Sequence, residues 1–348
     1  MDRSELERRV HGGEMIADVD LSGLSLEGAD LSGGLFEKVR FGGAVARGAR
    51  LRESIFNECD FTGFQATGAD LHLVRMQGCR LEGAAFDEAR MVGIKLHECE
   101  LSRARMTGAD LSLAAIVKSG VEGADLSKAK LVRTLIHECR LAGLRLAGAE
   151  VHKLTMVKAD LTRVVLDDVR CSFCIFVESN LAGMRLRGMD LSRCQFIDAD
   201  LTETDLSGAT LTQCNFKGAK MARANLAAAK ATRALFYQAK LERADLTEAK
   251  LDGSIFMEAD LTRAVASKAR MARCVFTRAT CVNASFVGAQ LNHADFSHAD
   301  VSDANFSHAD LLRARFHRAK DEGARFTDRS LAHGDDAELA EAESFGTR

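Results

Sequence analysis

Apolar residues recur at every fifth position from Ile16 to Phe316 without a change of register. The series runs Leu21, Leu26, Leu31, Phe36, Phe41 and ends Phe306, Leu311, Phe316. Where it weakens, the substitutes Ala46, Ala66, Ala231, Ala266, Cys171 and Cys281 are still small and apolar. Two positions earlier sits another small residue, most often Ala, and the other three positions carry Asp, Arg, Ser, Thr, Glu and Lys, as in GADLS, EADLT and HADFS. A period of five fits neither regular element. At about 100° per residue it would scatter the series around a helix, and its odd spacing would send successive members to opposite faces of a straight strand. All of them stay inside only if the chain bends once per unit.

A second period sets the number of bends in a turn. Every twentieth residue from Ile16 gives Phe36, Phe56, Met76, Leu96, Ile116, Ile136 and Met156, followed by Phe176, Phe196, Phe216, Phe236, Phe256, Phe276, Phe296 and Phe316. Four units per turn would stack these side chains in one column. Charges agree, because Asp30, Arg50, Asp70, Arg90, Asp110, Lys130, Glu150, Arg170 and Asp190 alternate in sign at the same spacing. Neighbours in a parallel ladder lie ~4.8 Å apart, where unlike charges attract and like charges repel. The pattern predicts an all-β, four-sided parallel β-solenoid of about fifteen coils, roughly 70 Å long.

The A-(D/N)-L-x-x unit resembles the motif of pentapeptide-repeat proteins, and the resemblance covers residues 16–327. It implies a right-handed quadrilateral parallel β-helix. Three segments are expected: an N-terminal cap over 1–15 with a short helix N-capped by Ser4, the solenoid over 16–327, and an acidic tail over 328–348. Asp321 stands where an apolar residue belongs, so the last coil should fail there, with Phe326 in a partial unit. The tail reads either as a second cap, with Leu339, Ala342 and Phe345 on one helical face, or as a disordered segment.

Composition narrows the function. Net charge is −3 and charged residues are interspersed, which gives no global basic footprint for nucleic acid. No apolar run reaches the ~18 residues of a membrane span, and MDRSELERRVHGG lacks the apolar core of a signal peptide. A cytoplasmic location is expected, with neither membrane nor nucleic acid as partner. All ten cysteines fall on inward positions; Cys59, Cys79, Cys99 and Cys139 share one phase of the coil, and Cys174, Cys194, Cys214 and Cys274 another. Stacked thiols point side by side, a poor geometry for disulfides, and a lone Cys171-x-x-Cys174 is a weak metal motif. His293, His298 and His308 sit on outward positions of different faces and should not converge. No catalytic, cofactor or metal residue is assigned, and an enzyme is not expected.

Outward positions beside the Phe column carry more information. Leu35, Ile55, Val117, Leu135, Val157, Ile175, Val177, Ile197, Leu235, Tyr237, Ile255, Met257 and Val275 are apolar although they should face water. Contiguous exposed apolar surface marks partner sites. The expected interaction residues are Leu135, Val157, Ile175, Val177, Ile197, Leu235, Tyr237, Ile255, Met257 and Val275. They would dock another protein, or a second copy of the chain through this face or a solenoid end. Corner columns Arg223, Arg243, Arg263 and Arg193, Arg233, Arg273, Arg313 are interleaved with Asp200, Glu203, Glu248 and Asp260.

The favoured reading is a non-enzymatic scaffold or adaptor. One pentapeptide-repeat subgroup resembles B-form DNA and modulates gyrase-type topoisomerases; that alternative requires a strongly negative rod. The ending HRAKDEGARFTDRSLAHGDDAELAEAE resembles pentapeptide-repeat proteins of bacterial type VI secretion clusters. This implies a secretion accessory as one form of the adaptor.

Overall fold

The bend demanded by the five-residue period is a tight turn closed by the central residue of each unit. In a computed structural model, which describes residues 1–345, the Leu21 carbonyl accepts from the Leu24 N–H at 3.1 Å, and Leu26 from Ala29 at 2.9 Å. The residue two after the centre lies in the left-handed region, with φ of 66° at Gly23 and 64° at Gly28. That is the signature of a type II turn. Residues with a Cβ take the same backbone, among them Glu53 (φ 59°), Leu113 (φ 61°) and Arg193 (φ 61°).

The repeating Asp-Leu-Ser wording now has a cause. The Asp before the central residue accepts from the amide after it: Asp20 Oδ1 from Ser22 at 3.0 Å, Asp125 from Ser127 at 2.9 Å, Asp245 from Thr247 at 2.9 Å. Where Ser or Thr follows, its hydroxyl donates to the same oxygen, as Thr62 does to Asp60 and Ser192 to Asp190, both at 2.6 Å. These Asx turns are local, so they favour the bend before any coil has stacked.

Stacking completes the fold. The Leu21 N–H donates to the Arg40 carbonyl at 2.7 Å, Gly23 to Gly42 at 2.9 Å, and the Arg40 N–H returns to Val19 at 3.0 Å. The partner is always one coil away, and the ladders are parallel. The chain divides into two compact units, Met1–Ser179 and Asn180–Arg348, each a stack of parallel β-solenoid turns, about sixteen turns in all.

In the first unit, one face is regular enough to form an eight-stranded sheet, from Met15–Ala17 and Leu35–Glu37 through to Leu135–His137 and Thr155–Val157. Its register pairs Met15 with Leu35, Ile16 with Phe36 and Leu35 with Ile55. A second, three-stranded sheet joins Lys130–Val132, Glu150–His152 and Arg170–Ser172. The predicted sign alternation becomes contact, with Arg50 and Asp30 at 3.0 Å and Arg90 and Asp70 at 3.8 Å. Helix α1, Arg3–His11, closes the start by burying Leu6 and Val10. Its N-cap is Asp2 instead of Ser4: the Asp2 carboxylate accepts from the Glu5 N–H at 2.9 Å, two residues earlier than expected.

In the second unit the Phe column is continuous from Phe196 to Phe316. Phe236 and Phe256 stack at 4.6 Å and 1°, Phe276 and Phe296 at 4.5 Å and 1°. A shorter column, Phe286, Phe306 and Phe326, meets it edge-on, with Phe296 and Phe306 at 5.5 Å and 89°. Each buried ring contributes on the order of 2–3 kcal/mol through area removed from water. At the end Arg329 takes over from the failing repeat by pairing with Asp321 and lying over the rings of Phe316 and Phe326 at 4.9 and 5.0 Å.

The tail forms helix α2, Ala337–Phe345. Leu339 on it is exposed, as is Ala342, and the Phe345 side chain lies outside the described residues. The expected apolar face therefore does not hold the helix; Glu343 does, through ion pairs with His298 and Arg318 at 3.0 and 2.9 Å.

Two outcomes follow from this geometry. At Gly208 (φ 65°) a Cβ would meet nothing within 4 Å, so Gly208→Val isolates the backbone term. It should lower unfolding free energy by about 1–2 kcal/mol, read from denaturant midpoints. The second concerns acid. The Asp20 carboxyl is held below its usual range by the Arg40 guanidinium, and Asp30 by the Ser32 hydroxyl acting against burial. A depressed carboxyl pKa adds stability above the ordinary Asp pKa and loses it as pH falls through the folded value. The melting temperature should therefore be level down to about pH 5 and fall below about pH 4. Asp20→Asn with Asp30→Asn should flatten that fall.

Candidate partner-binding face

The flat faces of a filled coil present side chains from positions flanking the central residue, and the predicted apolar strip lies on one of them. Ile255 is exposed at 38%; Leu135, Val157, Ile175, Val177, Ile197, Leu235, Tyr237, Met257 and Val275 are half-buried, each shielded by its neighbours in the ladder. The structure brings these residues together only in patches. In the first unit Leu135, Thr155 and Ile175 stack in register, flanked by Val157 and Val177. Exposed Met15 and Leu35 with half-buried Ile55 form a separate run that ends at Arg75 and Lys95.

The second unit holds the most compact patch. Leu235, Ile255 and Val275 bridge in one column, with Tyr237 and Met257 beside them. Asn215, hydrogen-bonded to Gln195 at 3.1 Å, bounds the column at one end and Asp295 at the other. Lys217 lies 6.0 Å from the Tyr237 ring and separates Tyr237 from Ile197 in sequence phase. Beyond Met257 the face runs into a cleft of about 840 Å³. Thr277, Asp295, His298 and His317 form its floor, and the segment Ala332–Asp336 with Leu339 and Glu343 of α2 forms its wall.

Sequence reasoning missed a second apolar feature, at a corner of the first unit. Leu73, Leu113 and Phe173 occupy left-handed positions where Gly or a charged residue is usual, and Leu113 is 56% exposed. Leu73 lies across Gly93, where an added Cβ would come within 2.7 Å of its Cδ2. His152 packs edge-on to Phe173 at 5.4 Å. The signal was present in the sequence: a bulky apolar residue two places after a central one has nothing inward to bury against.

In the arginine columns Arg223 pairs with Glu203 at 2.9 Å, and Arg233 and Arg273 flank a groove of about 780 Å³ in which Arg270 pairs with Asp252 at 3.0 Å. Of the three flagged histidines, His293 and His308 are exposed, while His298 instead meets His317 and Glu343. Among the described residues, no helix is long and apolar enough to cross a membrane.

The interior is closed to chemistry by its own packing. The central carbonyl has a second lone pair turned inward, and a hydroxyl or thiol of the next coil takes it. Ser54 donates to Leu31 at 2.8 Å, Thr204 to Leu181 at 2.9 Å and Cys214 to Leu191 at 2.9 Å. Of the ten cysteines all but Cys139 are buried. Burial pushes the Cys214 and Cys274 thiols up to about 12.

Uninterrupted five-residue units stacked with a twenty-residue register leave one assignment. The chain belongs to the pentapeptide-repeat family. The model described as pentapeptide repeat region matches residues 189–264, and that described as pentapeptide repeats (8 copies) matches 35–72, 75–112, 254–292 and 284–328. Among solved structures it is similar to QnrB1, a plasmid-mediated fluoroquinolone resistance protein, with 16% identity over 56% of this chain and 97% of that one and a TM-score of 0.41. It is also similar to HetL, a pentapeptide repeat protein involved in heterocyst differentiation regulation from the cyanobacterium Nostoc, with 23% identity, 76% and 96% coverage and a TM-score of 0.27. A pentapeptide repeat protein of the Arabidopsis thaliana thylakoid lumen shares 34% identity over 32% of this chain and 68% of its own, with a TM-score of 0.20. No curated protein matches the chain.

The thiols of this pentapeptide-repeat protein should be inert while it is folded. Titration with a thiol-reactive disulfide is expected to label at most Cys139 slowly in buffer, and all ten cysteines in denaturant. Rapid labelling of several thiols in buffer would show that the coils open.

Proposed function

We propose that this pentapeptide-repeat protein is a non-enzymatic interaction scaffold that docks a protein partner on the second unit's apolar patch. The observation that carries the reading is the cluster of Leu235, Ile255 and Val275 with Tyr237 and Met257, an unpaired apolar surface on a ladder-locked face. Such a surface binds with little loss of conformational freedom, because the coil backbone is already fixed. An aromatic at the centre of a small apolar cluster is the composition of a binding hot spot. The tail's resemblance to secretion-associated pentapeptide-repeat proteins makes a secretion accessory one form of such an adaptor.

Mimicry of DNA fits less well. A mimic needs a continuous negative face, whereas Asp30, Arg50, Asp70 and Arg90 alternate and pair along the first unit. Purified protein should accordingly leave gyrase supercoiling unchanged.

The docking reading is tested with Leu235→Asp, Ile255→Asp and Val275→Asp combined. Light scattering of purified protein and capture of partners from the native host are compared between wild type and the triple variant, with circular dichroism to verify folding. A partner or dimer held by wild type should be weakened about 100-fold or more in the variant. Identical mass and identical captured proteins would overturn the proposal.

A further inference from the structure

Where α2 meets the second unit, three metal-ligating side chains converge that belong to none of the patches above. His298 Nε2 lies 3.0 Å from Glu343 Oε1, and His317 Nε2 lies 3.5 Å from Glu343 Oε2. One donor atom from each of the three falls within 4.8 Å of the others, and the two imidazole rings stand at 89°. His317 is 2% exposed, and its Nε2 is buried without a hydrogen-bond partner among the described residues. A buried nitrogen aimed at a carboxylate and a second imidazole, and satisfied by neither, points to a ligand. We propose that His298, His317 and Glu343 form a binding site for one divalent transition-metal ion of the zinc class.

The donor set selects that class. Two imidazoles and one carboxylate suit zinc, cobalt or nickel, while calcium and magnesium prefer all-oxygen sites. The 3.0 Å between His298 Nε2 and Glu343 Oε1 is that of neighbouring ligands around an ion with bonds near 2.0–2.1 Å. Arg318 Nη1 stands 2.9 Å from Glu343 Oε2, so the ion takes Oε1 and the guanidinium keeps Oε2.

Protonation has to change on loading. The Asp336 N–H donates to His317 Nδ1 at 3.0 Å, which puts the ring proton on Nε2. Ligation by Nε2 releases that proton to solvent and Nδ1 takes one up, which keeps the ring neutral and gives up the Asp336 contact. Asp335 Oδ1 stands 3.9 Å from Nδ1, too far for a hydrogen bond, and accepts from the Arg318 N–H at 2.7 Å. Two ligands come from the solenoid and one from α2, so the ion fastens the tail beside the cleft at the end of the apolar patch. The site does not depend on the docking reading.

The test is cobalt(II) titration of the full chain, followed by zinc competition. One equivalent should bind with visible absorption of a nitrogen- and oxygen-ligated ion, and zinc should displace it and raise the melting temperature. His298→Ala and Glu343→Gln should each weaken binding about 100-fold or more. Glu343→Gln sits near the end of α2 and is chosen to leave the solenoid folded, verified by circular dichroism. Absence of stoichiometric cobalt binding, equal affinity in the His298 and Glu343 variants, or a thiolate-to-cobalt band would each overturn the proposal.

Discussion

Every fifth residue must accept a left-handed backbone, and the architecture depends on that one conformation. For a residue with a Cβ it costs about 1–2 kcal/mol, and this chain places Glu, Arg, Lys and Leu there as well as Gly. The cost is offset within each unit. A turn hydrogen bond, an Asx contact and ladder bonds to neighbouring coils form only when the bend is made, each worth about 0.5–1.5 kcal/mol net. Burial of the central Leu or Phe adds about 1.5–3 kcal/mol. Bend and stack are therefore stable together and neither is stable alone, the condition for a cooperative repeat fold.

The same coupling explains the distribution of residue types. Where an inward position two before the centre holds a small polar side chain, its donor meets the open lone pair of a carbonyl one coil back. Ser54, Thr204 and Cys214 are interchangeable in this role. The buried thiols of Cys214 and Cys274 are thus part of the hydrogen-bonded interior. Function is pushed outward, to faces and ends where a side chain can depart from the repeat without breaking it.

Departures from the repeat are what distinguish one face of the coil from another. Leu235, Ile255 and Val275 replace polar strand residues on one face, and Leu113 replaces a glycine-type corner residue. At the C-terminal end Asp321 breaks the apolar series, and Arg329, His317 and Glu343 rebuild the lost contacts with charge and aromatic packing. A solenoid edge left bare would recruit other strands, so the capping segments protect it as well as close it.

The sequence alone determined the coil: a strict period of five with a register of twenty admits one way to bury every central residue, so faces, charge columns and Phe stacks were legible from spacing. Tertiary structure decided what spacing cannot encode. The apolar strip, continuous as a residue class, resolves into separate patches because Arg75, Lys95, Asn215 and Lys217 share its columns. Asp2 caps α1 because helix ends are set by local hydrogen bonding, which tolerates a shift of two residues. The meeting of His298 and His317 with Glu343 spans 45 residues of chain through a segment outside the repeat. No periodicity reaches across that segment, so only the folded tail could bring the three side chains together.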